Sequence, residues 1–112
     1  ANEEHAGVRD RIDAWFAAWN GARDLEVTDD ITFRDAYAYI RGRDELVQHL
    51  AAARVHLPMT LARVGEPRHC QGSVLCDWSA SGSDGAVRAR GTNLFELAPD
   101  GRICAVCGFW AV

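Results

Sequence analysis

Two turn signals in the second half of the chain, Ser81-Gly82-Ser83-Asp84-Gly85 and Ala98-Pro99-Asp100-Gly101, separate segments in which apolar and polar residues alternate. A period of two puts successive side chains on opposite faces of a strand, and Gly, Pro, Ser and Asp supply the backbone geometry that folds one strand back on the last. Val74, Cys76, Trp78 and Ala80 alternate up to the first turn, residues 86–97 return to the second, and residues 102–112 form a last strand. Met59 to Cys70 is interrupted by Gly65 and Pro67, which predicts two short strands or one strand with a bulge. The second half is thus constrained to an antiparallel meander.

The first half mixes periods. Val8, Ile12, Trp15, Phe16 and Trp19 recur at the spacing of an amphipathic helix from Glu4 to about Asn20, and Asn20-Gly21 supplies its stop. Residues 31–40 alternate again, with Ile31, Phe33, Asp35, Tyr37 and Tyr39 on one face of a strand bent near Ala36. Gly42 opens a second helix whose first turn carries Asp44 and Glu45, acids that suit the positive end of the helix dipole. Leu46, Leu50, Ala53 and Leu57 form its buried stripe until Pro58. The expected fold class is α+β, a conical fold with N-terminal helices packed on a curved, mostly antiparallel sheet. With 112 residues there is room for one core, so residues 1–112 are expected to form a single domain.

Composition removes several function classes. A net charge of −4 argues against binding nucleic acid, which needs a basic face. All 12 cations are Arg and none is Lys, which excludes lysine nucleophiles and Schiff bases. No apolar run approaches the roughly 18 residues that span a bilayer, and no signal-peptide pattern is present, so no membrane association and a cytoplasmic location are expected. Four cysteines are too few for a disulfide scaffold, and reduced thiols are expected. Cys104-Ala-Val-Cys107 has the CxxC spelling, but residues three apart on a strand point to opposite faces, and the Cys70 to Cys76 spacing makes no second zinc knuckle. No metal and no cofactor are expected. His49 and His56 flank the second helix's apolar stripe and are read as surface residues, His5 and His69 show no partner pattern, and Arg88 and Arg90 are placed to pair with Asp77 across the hairpin.

Two polar residues stand where the alternation wants apolar ones. Asp35 shares its strand face with Ile31 and Phe33, and an inward carboxylate must be paired, hydrogen-bonded or functional. The plainer alternative is an ion pair with an arginine or a hydrogen bond to Tyr37 or Tyr39. Asn93 repeats the situation on a face with Ala89, Phe95 and Leu97, where the plainer alternative is that it satisfies backbone at a bulge beside Gly91. A base on one strand and a neutral donor on another, with Trp15, Trp19, Trp78 and Trp110 around them, would make an apolar pocket with few polar groups, the usual small-molecule site. Each tryptophan can equally be core filling. Both faces of the last strand are rather apolar, with Ile103, Ala105, Cys107 and Phe109 on one and Cys104, Val106, Trp110 and Val112 on the other. That predicts a homodimer through the outer sheet face.

Several short stretches together resemble the nuclear-transport-factor-two-like superfamily, and within it the ketosteroid isomerase and SnoaL-like branch. They are Ala18-Trp19-Asn20, Asp30-Ile31-Thr32-Phe33-Arg34-Asp35, Gly42-Arg43-Asp44-Glu45-Leu46, Gly91-Thr92-Asn93-Leu94-Phe95-Glu96, Asp100-Gly101-Arg102-Ile103 and Gly108-Phe109-Trp110, and the resemblance that they mark extends over nearly the whole chain. The resemblance implies a cystatin-like α+β barrel. It places Asp35 where ketosteroid isomerases have their catalytic base and Asn93 where they have the acid of the oxyanion hole. Trp15 falls on the oxyanion-hole tyrosine and Trp110 on a pocket tryptophan, with Trp19, Phe33, Tyr37, Trp78 and Phe95 as further substrate-binding candidates. Asn and Trp replace the acid and tyrosine donors of that hole. Limonene epoxide hydrolases share the fold but need an Asp-Arg-Asp constellation, which Arg88-Ala-Arg90 does not complete.

The resemblance implies an acid–base isomerase or cyclase that transfers a proton alpha to the carbonyl of a small apolar molecule. A non-catalytic ligand-binding or dimerisation module of the same fold is the alternative. An uncharged surrounding of Asp35 opposite Asn93 favours the enzyme, while an arginine salt bridge or a filled pocket favours the module.

Overall fold

In the computed structural model, which describes residues 2–111 with side chains from Glu4 onward, two helices pack on a curved six-stranded sheet. Helix α1 spans Asn2–Trp19 and buries Ile12, Trp15, Phe16 and Ala18, the face marked by the apolar spacing. It ends in a Schellman turn. Ala22 N–H donates to Ala17 O, Gly21 N–H donates to Ala18 O, and Gly21 takes the left-handed φ of 82° that such an ending requires. Asn20 then stitches the helix end to the sheet, its side chain donating to Leu61 O and accepting from Leu61 N–H, both at 2.9 Å.

Strand β1 (Val27–Arg34) is followed by a turn, the short β2 (Tyr39–Arg41) and helix α2 (Arg43–His56). The expected strand over residues 31–40 is therefore two strands. Asp35 Oδ1 accepts the Tyr37 and Ala38 backbone N–H groups at 2.8 and 2.9 Å, an Asx turn that ends β1 and reverses the chain. Tyr37 and Tyr39 consequently do not share the inward face: they are 77% and 62% exposed. In α2, Leu46 and Leu50 are buried as the pattern requires, whereas Leu57 lies beyond the last turn and is exposed.

Strands β3 (Thr60–Cys70), β4 (Ser73–Ser81), β5 (Val87–Leu97) and β6 (Ile103–Trp110) form the expected meander. Of the two forms open for β3, the structure has one strand with a bulge, the register slipping between Val64 and Arg68 around Gly65 and Pro67. The strand order is β2-β1-β6-β5-β4-β3. All neighbours are antiparallel except β1 and β6, which run parallel. The sheet is mixed and unclosed, since β2 and β3 at its two ends do not meet.

A bulge in β6 modifies the simple alternation. Leu97 pairs with Ile103 and Glu96 with Ala105, leaving Cys104 as the extra residue. Ile103 and Val106, three residues apart, can therefore both be buried, and from Ala105 onward the inward set is Val106, Gly108 and Trp110. Val112 lies outside the described residues. The outward charges also pair differently from expectation. Arg88 meets Asp84 within its own turn at 2.8 Å, while Asp77 accepts from Thr92 Oγ1 at 2.8 Å and lies 3.7 Å from Arg68. Among the described residues no helix is long and apolar enough to cross a membrane.

Candidate functional site

Three strands bring the two inward polar residues together. Asn93 on β5 lies opposite Gly108 on β6, and Arg34 at the end of β1 lies opposite Cys107, so Asp35, the next residue, comes beside Gly108. A methyl group at Gly108 would stand 3.0 Å from Asn93 Oδ1 and 3.3 Å from Asp35 Cβ. The bare glycine is what lets the carboxylate and the amide face the same space.

Asn93 is buried, and its amide is oriented by a buried hydrogen bond in which Trp78 Nε1 donates to Asn93 Oδ1 at 2.9 Å. With the oxygen engaged, the NH2 end is the donor left for a ligand. Trp78 fits here because its cross-strand neighbour is Gly91, where an added Cβ would lie 2.4 Å from the indole Cζ2. This bond fulfils neither of the sequence readings of Asn93, and no one-dimensional signal could have found it. Trp78 and Asn93 become neighbours only through the diagonal register of β4 and β5.

Asp35 is half-buried. One carboxylate oxygen is held by the Asx turn, and among the described residues no arginine or histidine comes within ion-pairing distance of it. Its hydrogen bonds go to the backbone of Tyr37 and Ala38, not to the phenols of Tyr37 and Tyr39. The second oxygen has no protein donor among the described residues, which leaves it available to a proton.

Asp35 and Asn93 line one crevice with Trp19, Phe33, Leu61, Trp78, Gly108 and Trp110. Its free volume is about 10 Å³, room for roughly one water. Trp110 meets Trp78 edge-on at 5.2 Å, and the exposed ring of Tyr37 meets Trp110 edge-on at 5.0 Å. Trp110 thus forms part of the crevice wall beside Trp78, and the exposed ring of Tyr37 packs against it.

The remaining candidates stand behind this wall. Phe95 is fully buried and packs against Trp15 and Phe16, outside the crevice lining. Trp15 is 2% exposed, stacks on Phe33 at 6.1 Å, and its Nε1 has no hydrogen-bond partner among the described residues. An orphaned buried donor of this kind costs about 1–3 kcal/mol. Trp15 is one ring removed from the crevice.

Cys76 continues the row of Asn93 on β4 and is fully buried, and its burial pushes the thiol pKa up to about 11. His49 is half-buried with its ring 6.1 Å from Phe33, deeper than a surface residue. His5 and His69, without a partner pattern in sequence, meet Nδ1 to Nε2 at 2.9 Å and tie α1 to β3. Among the described residues no three His, Cys, Asp or Glu side chains gather closely enough to hold a metal ion.

Two helices packed on a curved, unclosed six-stranded sheet form the α+β arrangement that the sequence stretches suggested. The model of the SnoaL-like domain matches residues 12–106. The chain belongs to the SnoaL-like family, within the nuclear-transport-factor-two-like superfamily. Solved structures repeat the fold at low identity. A protein of Agrobacterium tumefaciens, provisionally named an isomerase of the SnoaL-like family, superposes with a TM-score of 0.82 at 22% identity over 98% of this chain and 99% of that one. A protein of Sinorhizobium meliloti, provisionally named a polyketide cyclase, gives 0.74 at 20% identity over 88% of this chain and 93% of that one. A Catenulispora acidiphila protein with a ketosteroid isomerase-like fold, solved in complex with trimethylamine, gives 0.73 at 14% identity over 91% of this chain and 85% of that one. No curated protein matches the chain.

Proposed function

We propose that this SnoaL-like domain is an acid–base isomerase or cyclase that moves a proton alpha to the carbonyl of a small apolar substrate. The observation that carries the reading is the convergence of Asp35 and Asn93 on Gly108 inside an aromatic crevice, with no cation among the described residues paired to the carboxylate. Asp35 takes the proton through its unengaged oxygen. The carbonyl oxygen, as it gains negative charge, accepts a hydrogen bond from the Asn93 amide, whose direction Trp78 fixes. The provisional isomerase and cyclase names of similar folds agree with this chemistry.

Substrate access requires the crevice to widen, because about 10 Å³ holds no carbonyl compound; the half-buried Trp110 in its wall is the residue whose movement would open it. The filled crevice is also the observation that favours the second reading, a non-catalytic module in which Asp35 only builds the turn. Asp35→Asn separates the two, since the amide oxygen can still accept the Tyr37 and Ala38 N–H groups and preserve the turn. As a general base, Asp35 predicts a loss of about 10²- to 10⁴-fold in turnover of a β,γ-unsaturated ketone with little change in melting temperature. A lowered melting temperature with unchanged turnover would instead establish the structural role.

We further propose that the functional unit is a homodimer joined through the outer sheet face, where Val64, Leu75 and Phe109 are exposed. Sedimentation at micromolar concentration tests this, and a species of only 12.3 kDa would refute it.

A further inference from the structure

A groove along α2 shares no lining residue with the Asp35 crevice. Arg43, Val47, Leu50 and Arg54 follow one another at spacings of four, three and four residues, so they form a single stripe along α2. The stripe faces Ala18 and Leu25 at the end of α1 and in the loop after it, and the groove between them holds about 390 Å³. The groove is lined by an arginine near each end of the stripe and by apolar side chains between.

Both arginines are half-buried and held by backbone. Arg43 Nη2 donates to Leu25 O at 3.2 Å, and Arg54 Nη1 donates to Trp19 O at 3.1 Å, while Arg54 lies across the bare face of Gly21. Neither forms an ion pair among the described residues. Arg23, also at the groove, is neutralised by Glu26, and exposed Asp24 borders the groove without pairing to either arginine. A guanidinium has five N–H donors, and one spent on a carbonyl leaves the fork free for an anion. The backbone bonds fix each head before any ligand arrives, which lowers the entropy cost of binding.

We propose that this groove is a binding site for an aliphatic dicarboxylate, separate from the Asp35 crevice. One carboxylate meets Arg43, the other meets Arg54, and the methylene chain lies on Val47 and Leu50. Arg43 and Arg54 stand three helical turns apart, about 16 Å along the axis at 1.5 Å per residue, a span of the order that a short dicarboxylate and the contact distance to a guanidinium at each of its ends cover together. A single carboxylate engages only one end, and inorganic phosphate makes no use of the apolar middle.

The test is titration of the intact protein with adipate, followed by calorimetry and by amide shifts of Gly21 to Leu25. The expected result is saturable one-to-one binding at millimolar or lower concentration, with hexanoate and inorganic phosphate weaker. Arg43→Gln and Arg54→Gln should each weaken adipate about tenfold or more, the loss of one charge-assisted contact. Those variants also remove the bonds to Leu25 and Trp19, so Val47→Glu supplies a variant that keeps them. Val47 is part-exposed, and a carboxylate there occupies the arginines; it should abolish adipate binding without lowering the melting temperature. Asp24→Asn should tighten binding. Absence of saturation, equal affinity for hexanoate and adipate, or unchanged adipate binding in Val47→Glu would each overturn the proposal.

Discussion

Trp78 and Asn93 are joined by a buried hydrogen bond of 2.9 Å that makes one residue the orienting partner of the other. Replacing Trp78 by Phe removes the donor and leaves Asn93 Oδ1 inside the protein without it. The expected cost is about 1–3 kcal/mol for the orphaned acceptor, in addition to the smaller ring's lost packing. Denaturant unfolding measures it, and Asn93→Leu in the Phe background should recover part of it by removing the orphan. No recovery in the double variant would show that ring volume alone sets the loss.

Trp110 is the second control point. It is half-buried near the end of β6 and lines the crevice that holds Asp35 and Asn93. Trp110→Ala should therefore convert the closed crevice into an open pocket, and a phenol, whose oxygen imitates an enolate, should bind the variant more tightly than the parent protein. Quenching of the remaining tryptophans provides the readout. Asn93→Ala in the same background should weaken the phenol, and should lower any turnover by about 10²- to 10³-fold, the contribution of one oxyanion donor. Phenol affinity indifferent to both changes would place the ligand elsewhere.

Cys76 offers a prediction in pH. Burial raises its thiol pKa to about 11, above the 9.0 of a free cysteine, so between those values the unfolded chain has released a proton that the folded protein retains. The folded state is thus favoured fully below pH 9 and loses this contribution as pH rises toward 11. Cys76→Ala should flatten that part of the stability curve relative to the parent. Iodoacetamide at pH 8 should modify exposed Cys70 well before Cys76, as peptide mass mapping would show.

What the sequence made legible follows from the range of the forces involved. Helix stripes, turns and strand alternation are local, which is why the faces of Ile12, Trp15 and Phe16, the meander, and the inward placement of Asn93 could be read directly. Asp35 was conspicuous as a polar residue among apolar ones, but its Asx turn was not, and that turn sends Tyr37 and Tyr39 to the surface. The parallel pairing of β1 with β6, the Cys104 bulge and the Trp78–Asn93 bond depend on register between distant segments, for which alternation carries no information. The arginine stripe of α2 was present as spacing, yet only the packing of the α1 end against it makes a groove.

Gly108 gives the most direct test of the crevice. Its φ lies outside the left-handed region, so a side chain there costs no backbone strain, and an added methyl would meet Asn93 Oδ1 at 3.0 Å and Asp35 Cβ at 3.3 Å. Neither close contact is to a backbone atom: the Asn93 oxygen must give by a few tenths of an ångström against its bond to Trp78, and Asp35 Cβ must give together with the turn that carries it. Gly108→Ala should therefore keep the fold, with a stability change within about 1–3 kcal/mol, the usual cost of an added methyl in a packed interior. The same methyl stands between the base and the donor and takes up the space where the reacting carbon must sit. If proton transfer occurs there, turnover should fall by about 10²-fold or more, the effect of misplacing groups by roughly an ångström. Gly91→Ala is the contrasting variant: its methyl would meet Phe109 O at 2.3 Å, a backbone atom that cannot yield, so stability and turnover should fall together. A Gly108→Ala protein with full turnover would mean that the reaction does not pass between Asp35 and Asn93.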